Sequence, residues 1–376
     1  MLPVNLPPSD AGNAGLGLTD RSAMDRTREL EGLSEHFAQA PAIFTTSPLY
    51  QALCTAVAAD QPTLEMLLER RSGQQASFLL FGAAHYLLLD GVHHDLRHFY
   101  PSVVGPDAAD AESAGPVFVD FCRAFRRELG ELVRSRLVQS NVVRRAAGLR
   151  FALAALRRQC DGPVHLIEVG ASAGIHLQVD RYRYLIGGHS FGRQESPVTI
   201  ESRWLGTEQP PNLDDIPLIA TRVGVDLNPV DVTSIQNRRW LRALVWPEDH
   251  AGAGLLEAAL EHVAADPPEI IAGDAIDVCS PLGRSLPPGE PRVVFHAATR
   301  MHVPTHRRAA FDEAIDSIGS DGPLYHVWQE PPSAQHHGEL ADDRGVIAFH
   351  GPGDSKPTSL VQVDGHLNWL APLHDM

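Results

Sequence analysis

The stretch LIEVGASAGIHL, residues 166–177, decides the fold of this chain. It starts with an apolar run typical of a buried β-strand, passes through a turn with glycines at positions 170 and 174, and then resumes an apolar segment. Glycine adopts positive φ angles without steric cost, so such a turn lets the backbone approach a ligand closely. Free N–H groups at the start of a helix attract anions. The stretch therefore predicts a strand, a ligand-binding turn and a helix that begins near Ala173.

The spacing of this turn argues against two common phosphate-binding loops. Its pattern E-x-G-x-x-x-G differs from the G-x-G-x-x-G of dinucleotide sites and lacks the Lys-Ser/Thr ending of a P-loop. NAD and nucleoside triphosphates are therefore less expected ligands. A tight strand-to-helix turn that binds nothing is the alternative interpretation.

The turn resembles the first motif of class I S-adenosylmethionine-dependent methyltransferases. The resemblance implies that S-adenosylmethionine is the cofactor and that the loop lies beside its carboxypropyl end. The residues that would bind it are Glu168, Gly170, Ala171, Ser172 and Gly174. In this family the acidic residue helps to order the loop.

Two later carboxylates follow predicted strands. Asp226 directly follows the second predicted strand, and there its carboxylate can accept hydrogen bonds from ribose hydroxyls. An Asp that only forms the turn is a competing interpretation. Asp274, followed by Ala275, ends the third predicted strand. The methyltransferase resemblance implies that this position contacts the adenine, but Gly-Asp is also ordinary turn chemistry.

Short β-rich runs alternate with amphipathic segments after residue 162, which is the signature of an α/β fold. The predicted strands are Val164–Val169, Ile219–Val225, Glu269–Ala272, Val293–Ala297, Leu324–Gln329, Val346–His350 and Leu360–Val363. The predicted helices between them are Ala173–Leu185, Ser234–Val245, Gly254–Ala265 and Pro304–Ile318. We expect a doubly wound, Rossmann-like sheet of seven strands, whose last two strands form an antiparallel edge. An insertion at about 189–217 is expected to form a hairpin over the site.

The first part of the chain has a different pattern. Residues 1–20 are rich in Pro, Gly and Ala and predict a flexible arm. Residues 21–160 show helical spacing, with Ser47-Pro48 as a capping residue followed by Pro at the first helical position. The apolar run Ser77–Leu89 is too short to span a bilayer and predicts a buried helix. A helical cap domain over 21–160 and a methyltransferase-type domain over 161–376 are expected.

Several segments together resemble a bacterial family catalogued as domain of unknown function 2332. The carrying segments are Ser47-Pro48-Leu49-Tyr50, Gln139-Ser140-Asn141, the turn at 168–174, Asp180-Arg181-Tyr182, residues 224–231 and Trp240–Pro247. The resemblance implies a methyltransferase-like domain behind a helical part, without an established activity. This chain departs from the family pattern at Val142, where Glu is usual, and at His176, where Asn is usual.

Candidate catalytic residues lie near the expected carboxyl ends of strands. His296 can take a proton from an N–H or O–H acceptor, and His176 can reach the same cavity. For both, a histidine held by hydrogen bonds in the core is the alternative. Asp180 and Tyr182, on the predicted continuation of the first helix, can contact a polar substrate or can be structural.

Candidate substrate-binding residues come from two places. Gln139, Asn141 and Arg145 are expected on one long helix of the cap, where they can close the pocket. Arg300 and His302 follow the fourth strand. His302 and His306 also have the i, i+4 spacing of a metal site, but Pro304 between them favours surface histidines, and no metal is expected.

Composition narrows the partners. Lys plus Arg number 31 and Asp plus Glu 47, giving a net charge of −16 over 376 residues, so nucleic acid is an unexpected partner. The four cysteines lack C-x-x-C spacing, and the N-terminus lacks a secretory signal, so a cytoplasmic protein without a membrane partner is expected. The resemblance to methyltransferases implies methyl transfer, and the composition leaves a small molecule as the expected acceptor. The alternatives are a metal-dependent or otherwise repurposed enzyme on this fold, and a non-catalytic ligand-binding protein.

Overall fold

A computed structural model describes residues 18–160, 162–331 and 345–373. The chain divides into two compact units. Unit 1 comprises the chain up to Ser140 together with Arg239–Ala253, and unit 2 comprises Asn141–Arg238 and the chain from Gly254 onward. The boundary therefore lies at 140 rather than at the expected 160, and one segment of unit 1 comes from the middle of the chain. Most of the expected arm, residues 1–17, lies outside the described residues.

Unit 1 is helical. Its helices are α1 (Leu18–Gln39), α2 (Pro48–Ala58), α3 (Gln61–Leu67), α4 (Ala76–Leu89), α5 (Pro101–Val104), α6 (Ala114–Ala124) and α7 (Arg126–Ser135). Ser47 caps α2 as predicted, since its hydroxyl accepts the Tyr50 N–H at 3.2 Å. The prediction of a buried helix at Ser77–Leu89 is also confirmed, because nearly every residue of α4 is buried.

Unit 2 is a mixed α/β structure built on one large sheet. Its strands are β1 (Val164–Val169), β2 (Arg183–Ile186), β3 (His189–Gly192), β4 (Thr199–Trp204), β5 (Ile219–Asp226), β6 (Glu269–Ala272), β7 (Arg292–Ala297), β8 (Leu324–Glu330), β9 (Gly345–His350), β10 (Thr358–Val363) and β11 (Trp369–Ala371). The helices of this part of the chain are α8 (Arg145–Leu156), α9 (Ile235–Ala243), α10 (His250–Ala265), α11 (Ala275–Ser285) and α12 (Arg308–Ser317). Helices α9 and α10 each carry the chain from one unit to the other.

The strand order is β3-β2-β4-β11-β10-β9-β8-β7-β1-β5-β6. Strands β6, β5, β1, β7 and β8 are mutually parallel. After β1 the chain forms β2, β3 and β4 at the far end of the sheet. It then adds β5 and β6 on one side of β1 and returns to the other side of β1 for β7 and β8. The winding direction therefore reverses between β1 and β7, which makes this position a topological switch point.

The sheet corrects the expectation of seven strands, because eleven strands pair within the described residues. The insertion does not form a hairpin over the site. Its strands β3 and β4, together with β2, extend the sheet beyond β11. The predicted antiparallel pairing of β9 and β10 is confirmed, but this pair lies inside the sheet rather than at its edge.

The two faces of the sheet are covered by different helices. Ile167 and Val294 pack with residues of α11 and α12 in one apolar core. On the other face α8 packs closely, since a Cβ placed on Gly148 would lie 2.5 Å from Cδ1 of Ile347. Alternation along β1 therefore turns Glu168 away from the α11 and α12 core.

No helix among the described residues is long and apolar enough to cross a membrane. The four cysteines, Cys54, Cys122, Cys160 and Cys279, are buried and form no disulfide.

Candidate functional site

The glycine turn lies at the carboxyl end of β1, next to the switch point. Gly170, Ser172 and Gly174 have φ angles of 80°, 49° and 69°, all in the left-handed region. A Cβ on Gly170 would lie 2.2 Å from Oγ1 of Thr299, in the loop after β7. Glycine is therefore required at 170 for the turn to approach that loop. Ser172 is left-handed without being glycine, a form of backbone strain that concentrates at functional sites.

The turn is fastened to the end of β5. The Gly170 N–H donates to the Val225 carbonyl at 2.7 Å, and the Ser172 N–H donates to Oδ2 of Asp226 at 2.8 Å. Asn141 donates from Nδ2 to the Ser172 hydroxyl at 3.0 Å. Asp226 thus orders the loop, so part of its role is the turn chemistry that the sequence left open.

The predicted helix Ala173–Leu185 is wrong. A four-residue 3-10 turn, Ile175–Gln178, follows Gly174, and β2 then begins at Arg183. The predicted anion site at a helix start is therefore not formed. Tyr184 and Ile186 are buried while Arg183 and Leu185 are less so, and this alternation has the period of a strand.

Glu168 and His176 form a buried pair on the α8 face. His176 Nδ1 lies 2.6 Å from Oε1 of Glu168, and His176 Nε2 lies 3.0 Å from the Val142 carbonyl oxygen. Burial raises the pKa of Glu168, against the opposing effect of His176. Its other oxygen, Oε2, is buried without a hydrogen-bond partner in the described chain.

The contacts of His176 fix the number of protons in this pair. A carbonyl oxygen can only accept, so Nε2 carries a hydrogen that it donates to Val142. One further proton must lie between Nδ1 and Oε1, on His176 or on Glu168. The pair therefore holds a single shared proton, and Glu168 Oε2 is its open acceptor.

His296 and Glu330 form a second buried pair. His296 Nδ1 lies 2.8 Å from Oε1 of Glu330, and the same carboxylate accepts the backbone N–H groups of Thr299, Arg300 and Met301. Burial raises the pKa of Glu330, but the hydrogen bond and charge of His296, with the N–H groups of Arg300 and Thr299, outweigh burial and lower this pKa. Glu330 thus anchors the loop after β7 as an anion.

The two histidines do not share a cavity. His176 packs against Phe295, whereas His296, the next residue along β7, packs against Phe311 of α12. Successive side chains of a strand point to opposite faces, so the expectation that both reach one cavity is corrected. His296 is fully buried, in accord with the hydrogen-bonded alternative noted for it.

Three other predicted residues are engaged in structural contacts. Tyr182 is buried and its hydroxyl donates to the Ile175 carbonyl at 2.6 Å, while Asp180 pairs with Arg222 at 2.8 Å. Asp274 caps α11 through the Ile276 N–H and forms an ion pair with Arg307 at 3.0 Å, and Ala275 is the first residue of α11. The geometry favours the structural alternative for each of these side chains.

The cap helix expected to carry Gln139, Asn141 and Arg145 does not exist. Residues 136–144 are not helical, and Arg145 is the first residue of α8. Val, Ser and Asn dominate this segment and are weak helix formers. Asn141 and Arg145 belong to unit 2, whereas Gln139 belongs to unit 1.

Arg300 and His302 lie in the 3-10 turn after β7. Arg300 is committed to Asp312, with two hydrogen bonds of 2.7 and 2.6 Å. His302 is exposed, and desolvation lowers its pKa, with the charge of Glu330 opposing this effect. His306 falls in a separate 3-10 turn, and the described residues contain no group of three or more His, Cys, Asp or Glu that could hold a metal ion.

Sequence reasoning missed Glu330 and Gln329. Both lie at the end of β8, the strand beside β7, and both are buried. The available signal was position alone, since polar residues at the carboxyl end of a predicted parallel strand are candidates for a site.

Comparisons with known proteins give one family. The family model described as "Uncharacterized protein conserved in bacteria (DUF2332)" matches residues 34–371 of this chain. No curated protein matches the chain.

Proposed function

The chain belongs to the DUF2332 family of uncharacterized proteins conserved in bacteria, and from its site we propose that it is an S-adenosylmethionine-dependent methyltransferase acting on a small molecule. Methyl transfer to nitrogen or oxygen is the reaction that this proposal assigns. It places the cofactor at the glycine turn of unit 2.

The topology supports a nucleoside-type ligand at this edge. The parallel strands run β6-β5-β1-β7-β8, and the glycine turn follows β1, the middle one of these five strands. In open α/β sheets, ligands bind outside the carboxyl ends of the strands at the switch point. The additional strands lie beyond β8, on the side away from the turn.

One observation carries the proposal: Oε2 of Glu168, just before the turn, has no hydrogen-bond partner among the described residues. Glu168 is 2% exposed, and a buried acceptor without a donor is costly. The amino-acid tail of S-adenosylmethionine carries an ammonium group that would supply the missing donor. Its positive charge would also favour the ionised form of a carboxyl whose pKa burial raises.

The end of β5 fits the nucleoside part. The carboxylate of Asp226 is partly exposed, and each oxygen can accept more than one hydrogen bond, so ribose hydroxyls can be added to its loop contacts. The next residue, Leu227, is 68% exposed and offers an apolar surface to a base. Asp226 thus provides the polar part and Leu227 the apolar part of a nucleoside-binding site.

The protein's share of the reaction is orientation and exclusion of water. The bound cofactor supplies an electrophilic methyl group. The rigid turn, held by Asp226 and Asn141, fixes the geometry in which the acceptor meets it. Orientation of this kind can supply several kcal/mol of rate acceleration without a protein nucleophile, roughly 7–11 kcal/mol in well-aligned model reactions.

Isothermal titration with S-adenosylmethionine and S-adenosylhomocysteine tests the proposal. We expect binding by the wild type and at least tenfold weaker binding by Asp226→Asn. Asp231→Asn is a matched control, because Asp231 is an exposed carboxylate of the same loop whose Oδ1 accepts hydrogen bonds from Thr233. Absence of binding to the wild type, or equal binding by both variants, would contradict the proposal. Binding without turnover on any acceptor would favour a non-catalytic ligand-binding protein.

A further inference from the structure

We propose that the methyl acceptor is a small organic acid with an O–H or N–H group next to its carboxylate, held by Arg145 and Gln329. The inference rests on the proposed function and names its substrate class. The juxtaposition that carries it lies at the carboxyl end of β8, on the α8 face of the sheet.

The guanidinium group of Arg145 has most of its N–H donors unused among the described residues. In the described chain its one hydrogen bond is a long one, from Nε to the Gly365 carbonyl at 3.4 Å, and it forms no ion pair. The side chain is partly buried, and desolvation lowers its pKa despite the opposing charges of Glu330 and Glu168. A desolvated guanidinium without a direct acceptor is a strong binding point for an anion, and its planar fork matches a carboxylate.

The nearby carboxylates do not satisfy this fork. Glu168 is paired with His176, and Glu330 is paired with His296 and three backbone N–H groups. Both act on Arg145 only through their charge. A ligand carboxylate would therefore find two donors still available on Arg145.

Gln329 supplies the second contact. It is 6% exposed, its Nε2 lies 3.5 Å from the same Gly365 carbonyl, and its Oε1 is buried without a partner in the described residues. Because a carbonyl oxygen cannot donate, the amide must turn its nitrogen toward Gly365 and its oxygen away. Gln329 Oε1 is thus a hydrogen-bond acceptor with no donor among the described residues.

The shared carbonyl of Gly365 places these two groups side by side. A guanidinium fork beside a lone acceptor complements a carboxylate that has an O–H or N–H group on the neighbouring carbon. In the transfer, the oxygen or nitrogen of that group forms a bond to the methyl carbon. The carbon–sulfur bond of the cofactor breaks, its electron pair goes to sulfur, and the proton of the acceptor leaves to water.

Isothermal titration with three probes tests the inference, with and without S-adenosylhomocysteine. Lactate carries a carboxylate and a neighbouring hydroxyl, propionate carries the carboxylate alone, and inorganic phosphate is a different anion. We expect lactate to bind about tenfold more tightly than propionate, because its hydroxyl adds one hydrogen bond to a buried acceptor. Phosphate should bind more weakly than lactate.

Variants assign the two contacts. Arg145→Met should abolish binding of both acids, whereas Gln329→Leu should weaken lactate to the level of propionate and leave propionate unchanged. Arg144→Met is the matched control, because Arg144 precedes Arg145 and donates instead to the Glu201 carbonyl. Circular dichroism checks that each variant is folded, and Arg145→Lys, which keeps the charge without the fork, replaces Arg145→Met if the latter does not fold.

Three results would overturn the inference: no binding of either acid to the wild type, acid binding unchanged in the Arg145 variant, or phosphate binding as tightly as lactate. Failure of the proposed function is distinct from these. In that case lactate binds and responds to the variants, but S-adenosylhomocysteine does not bind.

Discussion

At the scale of single residues, Glu168 and Glu330 are paired with histidines in the same way but differ in their remaining contacts. Glu330 accepts backbone N–H groups as well, and its pKa is lowered even though burial alone would raise it. Glu168 keeps one oxygen that has no partner in the part of the chain that the structure describes, and burial raises the pKa of Glu168. We infer that Glu330 is an anchor of the loop after β7, whereas Glu168 has acceptor capacity left for a ligand.

The anchor role predicts a large cost for Glu330→Gln. The variant removes the charge that holds His296 and leaves one amide oxygen for the N–H groups, so the free energy of unfolding should fall by about 3 kcal/mol, as for breaking a buried ion pair. Glu290→Gln is the control, since Glu290 pairs with His165 at 2.7 Å but is 47% exposed. Its cost should stay below about 1 kcal/mol. Urea unfolding measures both, and equal costs would show that Glu330 is not the anchor.

His85 in unit 1 predicts a pH dependence of stability. Burial lowers its pKa to about 3, and its ring lies 3.0 Å from the Ala243 carbonyl and 2.7 Å from the Ser102 hydroxyl. The folded pKa lies below the unfolded value near 6.5, so the unfolded state takes up the proton first. This contribution is fully present above pH 6.5 and is lost as the pH falls toward 3, by up to about 1.4 kcal/mol per pH unit.

The comparison of wild type with His85→Gln isolates this effect. Urea unfolding between pH 7 and pH 4 should give a steeper loss of stability in the wild type than in the variant. His98→Gln is the control, because His98 lies in a 3-10 turn of the same unit and is not buried. Parallel curves for wild type and His85→Gln would refute the prediction.

The sequence could place several of these residues but not their partners. Glu168 and Asp226 lie near the carboxyl ends of β1 and β5, where ligands are expected, because strand ends can be predicted from apolar runs. Arg145 was a candidate as well, but on a cap helix that is not formed. Tyr182 and Asp274 were equally good candidates in the sequence. In the structure the Tyr182 hydroxyl donates a hydrogen bond to a backbone carbonyl, and Asp274 caps a helix. Those contacts join positions whose proximity depends on the tertiary fold.

At the scale of elements, the segment after β1 shows where the hydrophobic pattern of the sequence predicts the wrong secondary structure. Residues 173–185 have apolar spacing compatible with a helix, but the segment forms a 3-10 turn followed by β2. Pairing of β2 with both β3 and β4 satisfies its backbone and outweighs the local preference. Most strands around the switch point were predicted within a residue or two, because fully buried parallel strands are continuous apolar runs.

The strand assignment of residues 183–186 predicts an alternating cost of alanine substitutions. Tyr184→Ala and Ile186→Ala remove buried side chains and should each cost about 2–5 kcal/mol. Arg183→Ala and Leu185→Ala alter partly exposed positions and should each cost less than about 1.5 kcal/mol. Urea unfolding of the four variants gives the comparison. A cost that instead repeats every three to four residues would indicate a helix.

At the scale of the whole molecule, unit 1 is discontinuous in sequence. The segment 239–253 completes it, although it follows β5 in the chain. Sequence patterns had assigned this stretch to a crossover helix of the sheet, because helix α9 has ordinary amphipathic spacing. Local periodicity states which face of a helix is apolar but not which unit it packs in. The family match over residues 34–371 includes both units, so they occur together in the family model.

The discontinuity predicts that residues 18–140 do not fold alone. Without 239–253, unit 1 loses the hydrogen bond from Trp240 to the Leu137 carbonyl at 2.8 Å and the contact of His85 with Ala243. It also loses Glu248, the acceptor for the Ser47 hydroxyl at 2.8 Å. The fragment should therefore show weak helical circular dichroism and no cooperative thermal transition.

Adding a synthetic peptide of residues 235–254 should restore helicity in a saturable manner, because the peptide carries every group that the fragment lacks for these contacts. A peptide with Trp240→Ala is the matched control and should restore less, since Trp240 is a buried anchor of the segment. A fragment that melts cooperatively without the peptide would mean that residues 18–140 form a complete core and that 239–253 merely lies against it.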